Sequence, residues 1–417
     1  MRGGTPAPRC WTAGRFPDYL DCVFSQLADR SEPAPVARER VLPALAPLGT
    51  SRMLPREAYV DPAVFAWEHR HFFGGWVCAG RSADVAVVGD HRAVSLGDSG
   101  VLLARAEDGR LRAFANVCRH RGHELLPCGT SANKRAIVCP YHAWTYRLDG
   151  SLQVAPSFEH VPGFDPSPHG LGELPVREWH GWVFVDRSRT APPFDEQVGE
   201  LAEIVAPYAP GELQTLVRHE YEVAANWKVI VENYQECYHC SMIHPELCRV
   251  SPPESGANLD LPGDWVGGWM ELRPDATTMS LDGSSAGVAI AGLAERELRT
   301  VMYVAVFPNL LVSLHPDYVM THLLTPVDVD RTLVECAWAF PTDAVQQPGF
   351  DPAYAVDFWD LTNRQDWAAC ESVQRGLGSE HHVAGPLAPE EDGVYHFVSR
   401  VARGYLGLTA DDDPPTA

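Results

Sequence analysis

Four side chains with metal-binding chemistry lie within 25 residues. Cys118 and His120 form one pair, Cys139 and His142 another, and eighteen residues separate the pairs. Two short pairs on neighbouring loops can close on one compact centre. Zinc accepts two Cys and two His, but its sites commonly pair Cys with Cys and His with His. Here each pair mixes the two. A [2Fe–2S] cluster with two thiolates on one iron and two imidazoles on the other suits two mixed loops, each giving one ligand to each iron. Cys128, between the loops, reads as a small buried residue.

A second set follows in NWKVIVENYQECYHCSMIHPEL. His239 and His244 are five apart, and Glu236 stands three before His239. That spacing does not put both imidazoles on one helical face. They converge if the helix ends between them, and Pro245 makes a boundary at His244. Two imidazoles with one carboxylate form the facial set of non-haem iron sites, which leaves positions open for dioxygen. Other readings stand beside it: a histidine near a helix end is often structural, and Cys237-Tyr-His-Cys240 is a CxxC pair. For the carboxylate, Trp359, Asn363, Asp366, Cys370, Val373 and Leu377 recur at helical spacing on one largely apolar face. Asp366 is the carboxylate on that face, and buried carboxylates are rare unless paired or metal-bound. Asp360 is the alternative.

CRHRGHEL and CPYHAWTYRLDGSL resemble the Rieske domains of aromatic-ring-hydroxylating and related oxygenases. Neither loop carries the extra cysteine of respiratory Rieske proteins. Asn226-Trp-Lys, Glu232-Asn233 and the Glu236, His239, His244 spacing resemble the iron-binding segment of the α subunits of that family. QDWAACESVQRGL is similar to its segment bearing the ligand Asp. The resemblance runs over about residues 50–408. It implies an α+β chain: a β-rich Rieske [2Fe–2S] domain held by Cys118, His120, Cys139 and His142, then a helix-grip (START-like) domain with an antiparallel sheet. There, His239, His244 and Asp366 would hold Fe2+, with Glu236 and Asn233 as further catalytic-segment residues. The position of Glu236 is commonly Asp in the family, where it bridges the iron to the Rieske histidine of the next subunit. Glu there is associated with members that oxidise quaternary ammonium compounds.

The resemblance further implies a head-to-tail homotrimer. Electrons would come from an NAD(P)H-dependent flavoprotein reductase, with or without a ferredoxin, so nicotinamide and flavin act only through the partner. The expected reaction is O2-dependent oxidation of a small organic substrate, foremost N-demethylation of a compound such as glycine betaine. Aromatic-ring hydroxylation is the alternative. A Rieske electron carrier and a zinc-binding module are the rivals of other classes.

The elements that must position these residues can be outlined. Residues 1–50 read as a loosely ordered extension with one helical stretch, PDYLDCVFSQLADR. A compact pattern starts near residue 51, with Asp61 and Pro62 as N-cap and first helical residue. VAVVG, AVSLG, VLLARAEDG, LRAFAN and GWVFVD read as strands, so the iron–sulfur domain spans 51–194. The catalytic domain spans 195–408, with one helix running up to Pro245. The Gly/Ser-rich PDATTMSLDGSSAGVAIAG reads as a mobile loop. Three strands follow, TVMYVAVF, NLLVSLHPDYVMTHLL and TLVECAWAF, then a helix. Residues 409–417 read as a disordered tail.

The 417-residue chain carries a net charge of −22, which argues against general nucleic-acid binding. Its eleven cysteines are irregularly spaced, favouring metal binding over a disulfide framework. No apolar run spans a bilayer and no signal-peptide core is visible, so a cytoplasmic, membrane-free protein is expected. Residues 105–150 hold eight Arg or Lys against four Asp or Glu, a local balance of 8 − 4 = +4. That contrast suggests a landing surface for an acidic redox partner. Among the aromatic residues, Trp265, Trp269 and Tyr303 are candidates for a cage around a cation.

Overall fold

The computed structural model describes residues 32–97 and 99–408. The expected helix near residues 17–30 and the expected tail lie outside them. Residues 32–50 pack onto the rest: Val41 and Ala44 are fully buried. Ala34 N donates to Tyr405 O at 3.0 Å, and Ser399 Oγ to Ala44 O at 3.2 Å. The loose attachment expected for residues 1–50 therefore does not describe 32–50, because its apolar side chains cover the C-terminal helix Asp392–Tyr405.

Asp61 caps the helix Pro62–His71 by accepting from Ala63 N. Three antiparallel sheets follow. One pairs Trp76–Arg81 and Val176–Trp179 on either side of Trp182–Asp186. A five-stranded sheet runs in the order Ser131–Asn133, Asp90–Leu96, Ser99–Arg105, Leu111–Ala115, Glu173–Leu174. A small sheet joins Ile137–Val138, Thr145–Tyr146 and Leu152–Val154. VAVVG is not a strand. Its Val85 ends the 3-10 turn Ser82–Val85, and a bend and a turn follow over 87–89. Val87 and Val88 face solvent, and Asp90 accepts from Val87 N.

The C-terminal half is built on one seven-stranded antiparallel sheet. Its order is Gln214–Val223, Arg331–Phe340, Val319–Asp328, Leu310–Leu314, Thr300–Val306, Trp265–Glu271, Ala257–Asn258. NLLVSLHPDYVMTHLL is therefore two strands, with Pro316 and Asp317 in the turn. The 25-residue helix Ala353–Leu377 packs on one face, where Trp359 meets Tyr303 and Tyr318. Helical residues Phe194 and Leu201 cover the other face with Trp179 and Trp182. Both faces are buried at the centre of the sheet, so Thr300–Val306 and Leu310–Leu314 read as continuous apolar runs without alternation, whereas the edge strand Gln214–Val223 is largely polar and partly exposed.

The Gly/Ser-rich segment has no regular element but is tied down. Asp317 accepts from Thr278, Ser285 and Tyr354, and Tyr318 OH donates to Met279 O at 2.8 Å. These bonds to buried groups anchor what its composition marked as mobile.

Candidate metal centres

The two Cys/His loops repeat one backbone pattern. Cys118 N donates to His123 O at 2.9 Å, and Gly122 N donates to Cys118 O at 3.0 Å. Cys139 N donates to Trp144 O at 2.8 Å, and Ala143 N donates to Cys139 O at 3.0 Å. The fourth residue after each cysteine turns left-handed: Gly122 at φ 72° and Ala143 at φ 56°. A non-glycine there carries backbone strain, which the surrounding fold must impose. Both sulfurs are buried, and the His120 and His142 rings stand 4.7 Å apart. His120 stacks on Trp144 at 4.9 Å, and its buried Nδ1 has no partner. Burial, then the adjacent Cys118 sulfur, raises the Cys139 thiol above its ordinary range. Tyr146 OH accepts from Arg119 N at 3.0 Å and is left to donate to Cys118 Sγ, 3.3 Å away. Paired sulfurs, paired imidazoles and an orphaned ring nitrogen suit a cluster with mixed ligands.

The second set depends on a broken helix. Trp227–Tyr234 is helical, with Asn226 as its cap, but the helix does not run to Pro245. It stops at Tyr234, and short helices Cys240–Ile243 and Pro245–Val250 follow. Glu236 Oε2 accepts from His239 N at 3.1 Å, and the chain turns again at His244, before Pro245. These two bends aim the imidazoles at each other. His239 Nε2 lies 3.2 Å from His244 Nε2. Asp366 Oδ1, on the long helix, lies 2.9 Å from His244 Nε2 and 3.5 Å from His239 Nε2. Adjacent donors of an octahedral ion with bonds of about 2.1 Å are about 3 Å apart, so the three atoms fit one metal.

Outer partners fix both rings. His239 Nδ1 donates to Glu236, and His244 Nδ1 donates to Gln365 Oε1 at 2.7 Å. Each Nε2 is thereby left facing the shared point. Burial pulls His239 down, but the carboxylates of Asp366 and Glu236 outweigh it and push the group up to about 9. Asp360 is engaged elsewhere, accepting from Tyr221 OH at 2.6 Å and Arg364 Nε at 2.8 Å. In the sequence nothing separates Gln365 from other polar helix residues.

A small cavity of about 20 Å³ has Asp366 in its wall. Asn233, Tyr234, His322, Trp359, Asn363 and Trp367 line it with Ile230 and Leu311. Among the described residues no Lys or Arg does. Tyr303 reaches this region, with its ring 6.0 Å from Tyr234 and 6.3 Å from Trp359. Trp265 and Trp269 do not. They pair with Val306 and Met302, on the opposite face of the sheet from Tyr303. A wider open groove of about 730 Å³, lined by Arg218, Asp360 and Arg364 among others, holds none of the His239, His244, Asp366 set.

The basic segment is partly neutralised by acids beyond it: Arg105 pairs with Glu178 and Arg112 with Glu173, while Arg112 also meets Asp108 within the segment. The CxxC pair is bonded: Cys237 and Cys240 form a disulfide, where the cysteine pattern had favoured metal binding. Their Cα atoms are 4.9 Å apart, within disulfide reach.

Comparison with known proteins agrees with this layout. Residues 75–165 match the family model of the Rieske [2Fe-2S] domain, and residues 211–407 that of the ring hydroxylating alpha subunit catalytic domain. The chain is 30% identical over 403 residues to the glycine betaine monooxygenase oxygenase subunit of Pseudomonas aeruginosa, covering 89% of this chain and 92% of that one. It is 38% identical over 371 residues to the carnitine monooxygenase oxygenase subunit of Escherichia coli, covering 84% and 94%. The crystal structure of the quaternary ammonium Rieske monooxygenase CntA with L-carnitine superposes at a TM-score of 0.73 and 26% identity, over 89% of this chain and 99% of that one. Naphthalene 1,2-dioxygenase from Rhodococcus sp. shares the fold at a TM-score of 0.73 and 19% identity, over 91% and 99%. The chain belongs to the Rieske non-haem iron oxygenases. It is an oxidoreductase whose cofactors are a [2Fe–2S] cluster and Fe2+. As an oxygenase subunit it works with a reductase. Among the described residues no helix is long and apolar enough to cross a membrane.

Proposed function

We propose that this Rieske oxygenase oxidises an N-methyl group of a small quaternary ammonium compound, releasing the methyl carbon as formaldehyde. One observation carries the reading: the cavity beside Asp366 is lined by Trp359, Trp367 and Tyr234, residues that carry aromatic faces, without a lysine or arginine among its described lining residues. A permanent cation is attracted to such faces and repelled by a basic side chain. The relatives named for glycine betaine and carnitine, and Glu236, support it.

In this reading Cys118, His120, Cys139 and His142 hold the cluster, and His239, His244 and Asp366 hold Fe2+. Bound there, the cluster would supply electrons and the iron would activate dioxygen. Glu236 and Gln365 keep both imidazoles in the tautomer that presents Nε2. Asn233, Asn363 and His322 supply neutral polar atoms near the reacting methyl. His322 stays uncharged, because burial pulls it down to about 4. A trimethylammonium group exceeds the present gap, so its binding requires the lining side chains to shift. The chain acts as a homotrimer fed by an NAD(P)H-dependent flavoprotein reductase. Glu236 links His239 to the cluster of the next subunit.

The test supplies glycine betaine, choline, carnitine and stachydrine with a surrogate reductase and NAD(P)H. Formaldehyde formed in step with NAD(P)H consumed is the expected result for one of them. No formaldehyde, with hydroxylated product from an aromatic acid, would move the assignment to ring hydroxylation. Glu236→Gln should keep both metals and slow single-turnover oxidation. An unchanged single-turnover rate would make Glu236 purely structural.

A further inference from the structure

The CxxC pair around His239 has no part in that reaction. All other described cysteines are free. Cys240 Sγ lies 3.9 Å from His239 Nε2. That sulfur and one nitrogen of each of His239 and His244 lie within 4.8 Å of one another. With ordinary zinc bonds, the edges of a tetrahedral site are about 3.3 Å between two nitrogens and about 3.5 Å between nitrogen and sulfur. The observed separations, 3.2 Å for the nitrogens and 3.9 Å for sulfur and nitrogen, are close to those edges. Asp366 Oδ1 faces the same two nitrogens, 2.9 Å from His244 Nε2 and 3.5 Å from His239 Nε2. In the disulfide, the Cys240 sulfur is bound to Cys237 and lacks the thiolate lone pair a metal needs.

We propose that this site has a second metal-binding mode, in which reduction of the Cys237–Cys240 bond frees Cys240 to complete a zinc set with His239, His244 and Asp366. It rests on the reading of the last three as metal donors. The reductant is a dithiol. Its thiolate attacks the sulfur of Cys237, which is half-buried beside Tyr238, itself 61% exposed. Cys240 leaves, and the second thiol of the reductant resolves the mixed disulfide. The protein disulfide gains two electrons and two protons, and the dithiol departs as its own disulfide. Zinc then displaces the Cys240 proton to solvent. Thiolate favours zinc over Fe2+, and a filled tetrahedron leaves no position open for dioxygen. The disulfide thus keeps the oxygen-activating site open.

Zinc K-edge X-ray absorption tests this on cluster-loaded protein, because the cluster iron does not contribute at that edge. The mononuclear site is emptied and refilled with Zn2+. Wild type is measured before and after treatment with a water-soluble phosphine, which becomes its oxide with oxygen from water. Thiols are counted by peptide mapping. Untreated wild type and Cys240→Ser should show only nitrogen and oxygen neighbours. Reduced wild type and untreated Cys237→Ser should add one sulfur neighbour at about 2.3 Å. Zinc held without sulfur in Cys237→Ser would keep the site and overturn the second mode. Free Cys237 and Cys240 thiols in untreated wild type, again without a sulfur neighbour, would also overturn it. No zinc bound in any form, with cluster iron intact, would instead overturn the reading of the site itself.

Discussion

The two centres are built by opposite means. The cluster loops each close on themselves: the backbone of Cys118 or Cys139 is bonded to residues four and five positions later. In the second centre, His244 and Asp366 are 122 residues apart and meet only because two helices pack. A local site is fixed by its own loops, whereas a distant one depends on the core beneath it. That core includes charges. Lys228 and Glu68 form an ion pair at 2.6 Å with both side chains fully buried. Trp227 Nε1 donates to Glu68 at 2.9 Å, Tyr405 OH donates to Glu68, and Tyr59 OH to Glu232 at 2.7 Å. This network fastens the helix Trp227–Tyr234 to the N-terminal helix Pro62–His71 and to the C-terminal helix. The cluster loops have no counterpart among their described contacts.

The contrast can be broken most sharply at Asp366. Asp366→Ala should abolish turnover and take iron from about three to about two per chain, because one facial set is lost and the cluster stays. Asp360→Ala should do neither. Iron analysis with cluster EPR decides between them, and equal iron loss in both variants would refute the separation. Next, Lys228→Met leaves the Glu68 carboxylate buried without its cation. Urea unfolding should show a loss of about 3–5 kcal/mol, since stranding a buried charge is costly. Residual folded protein should keep a normal cluster signal. A cluster signal that fell with stability would show that the two regions are not independent.

Smaller effects should sharpen the picture. Gln365→Leu frees the His244 ring without touching a donor atom. Its Fe2+ affinity should fall about 10–100-fold, as for other outer-partner losses, with the cluster potential unchanged. Competition with a chelator measures it. The mildest test is pH. Burial pushes Glu232 up to about 8, against the opposing pull of the Tyr59 hydrogen bond and Lys228. Between about 4.5 and 8 the folded group keeps a proton that the unfolded one has released. Unfolding therefore releases a proton, and this contribution to stability is full below the unfolded value and lost as pH rises. From pH 6 to 7.5 the loss should reach at most about 2 kcal/mol. Glu232→Gln should flatten that slope, and a variant as steep as wild type would assign the titration elsewhere.

Sequence alone determined the local chemistry of this protein. Cys118, His120, Cys139 and His142 were legible because residue type and short spacing suffice when a loop supplies its own scaffold. Glu236, His239 and His244 were legible as a set, since Pro245 marks a chain bend at any fold. Packing decided the rest. Asp360 and Asp366 are six residues apart on one helix; the apolar face in the sequence favours Asp366, and the seating of that helix on the sheet turns Asp366 to His244 and Asp360 to Tyr221. With both faces of the sheet buried, no alternation told Tyr303 from Trp265 and Trp269. Only strand register places Tyr303 toward the cavity. The break after Tyr234, the Cys237–Cys240 bond, the anchoring of the Gly/Ser-rich segment by Asp317 and the docking of residues 32–50 have the same origin. Each depends on contacts between residues distant in the chain or on a backbone turn that propensity does not specify, so tertiary structure alone could decide it.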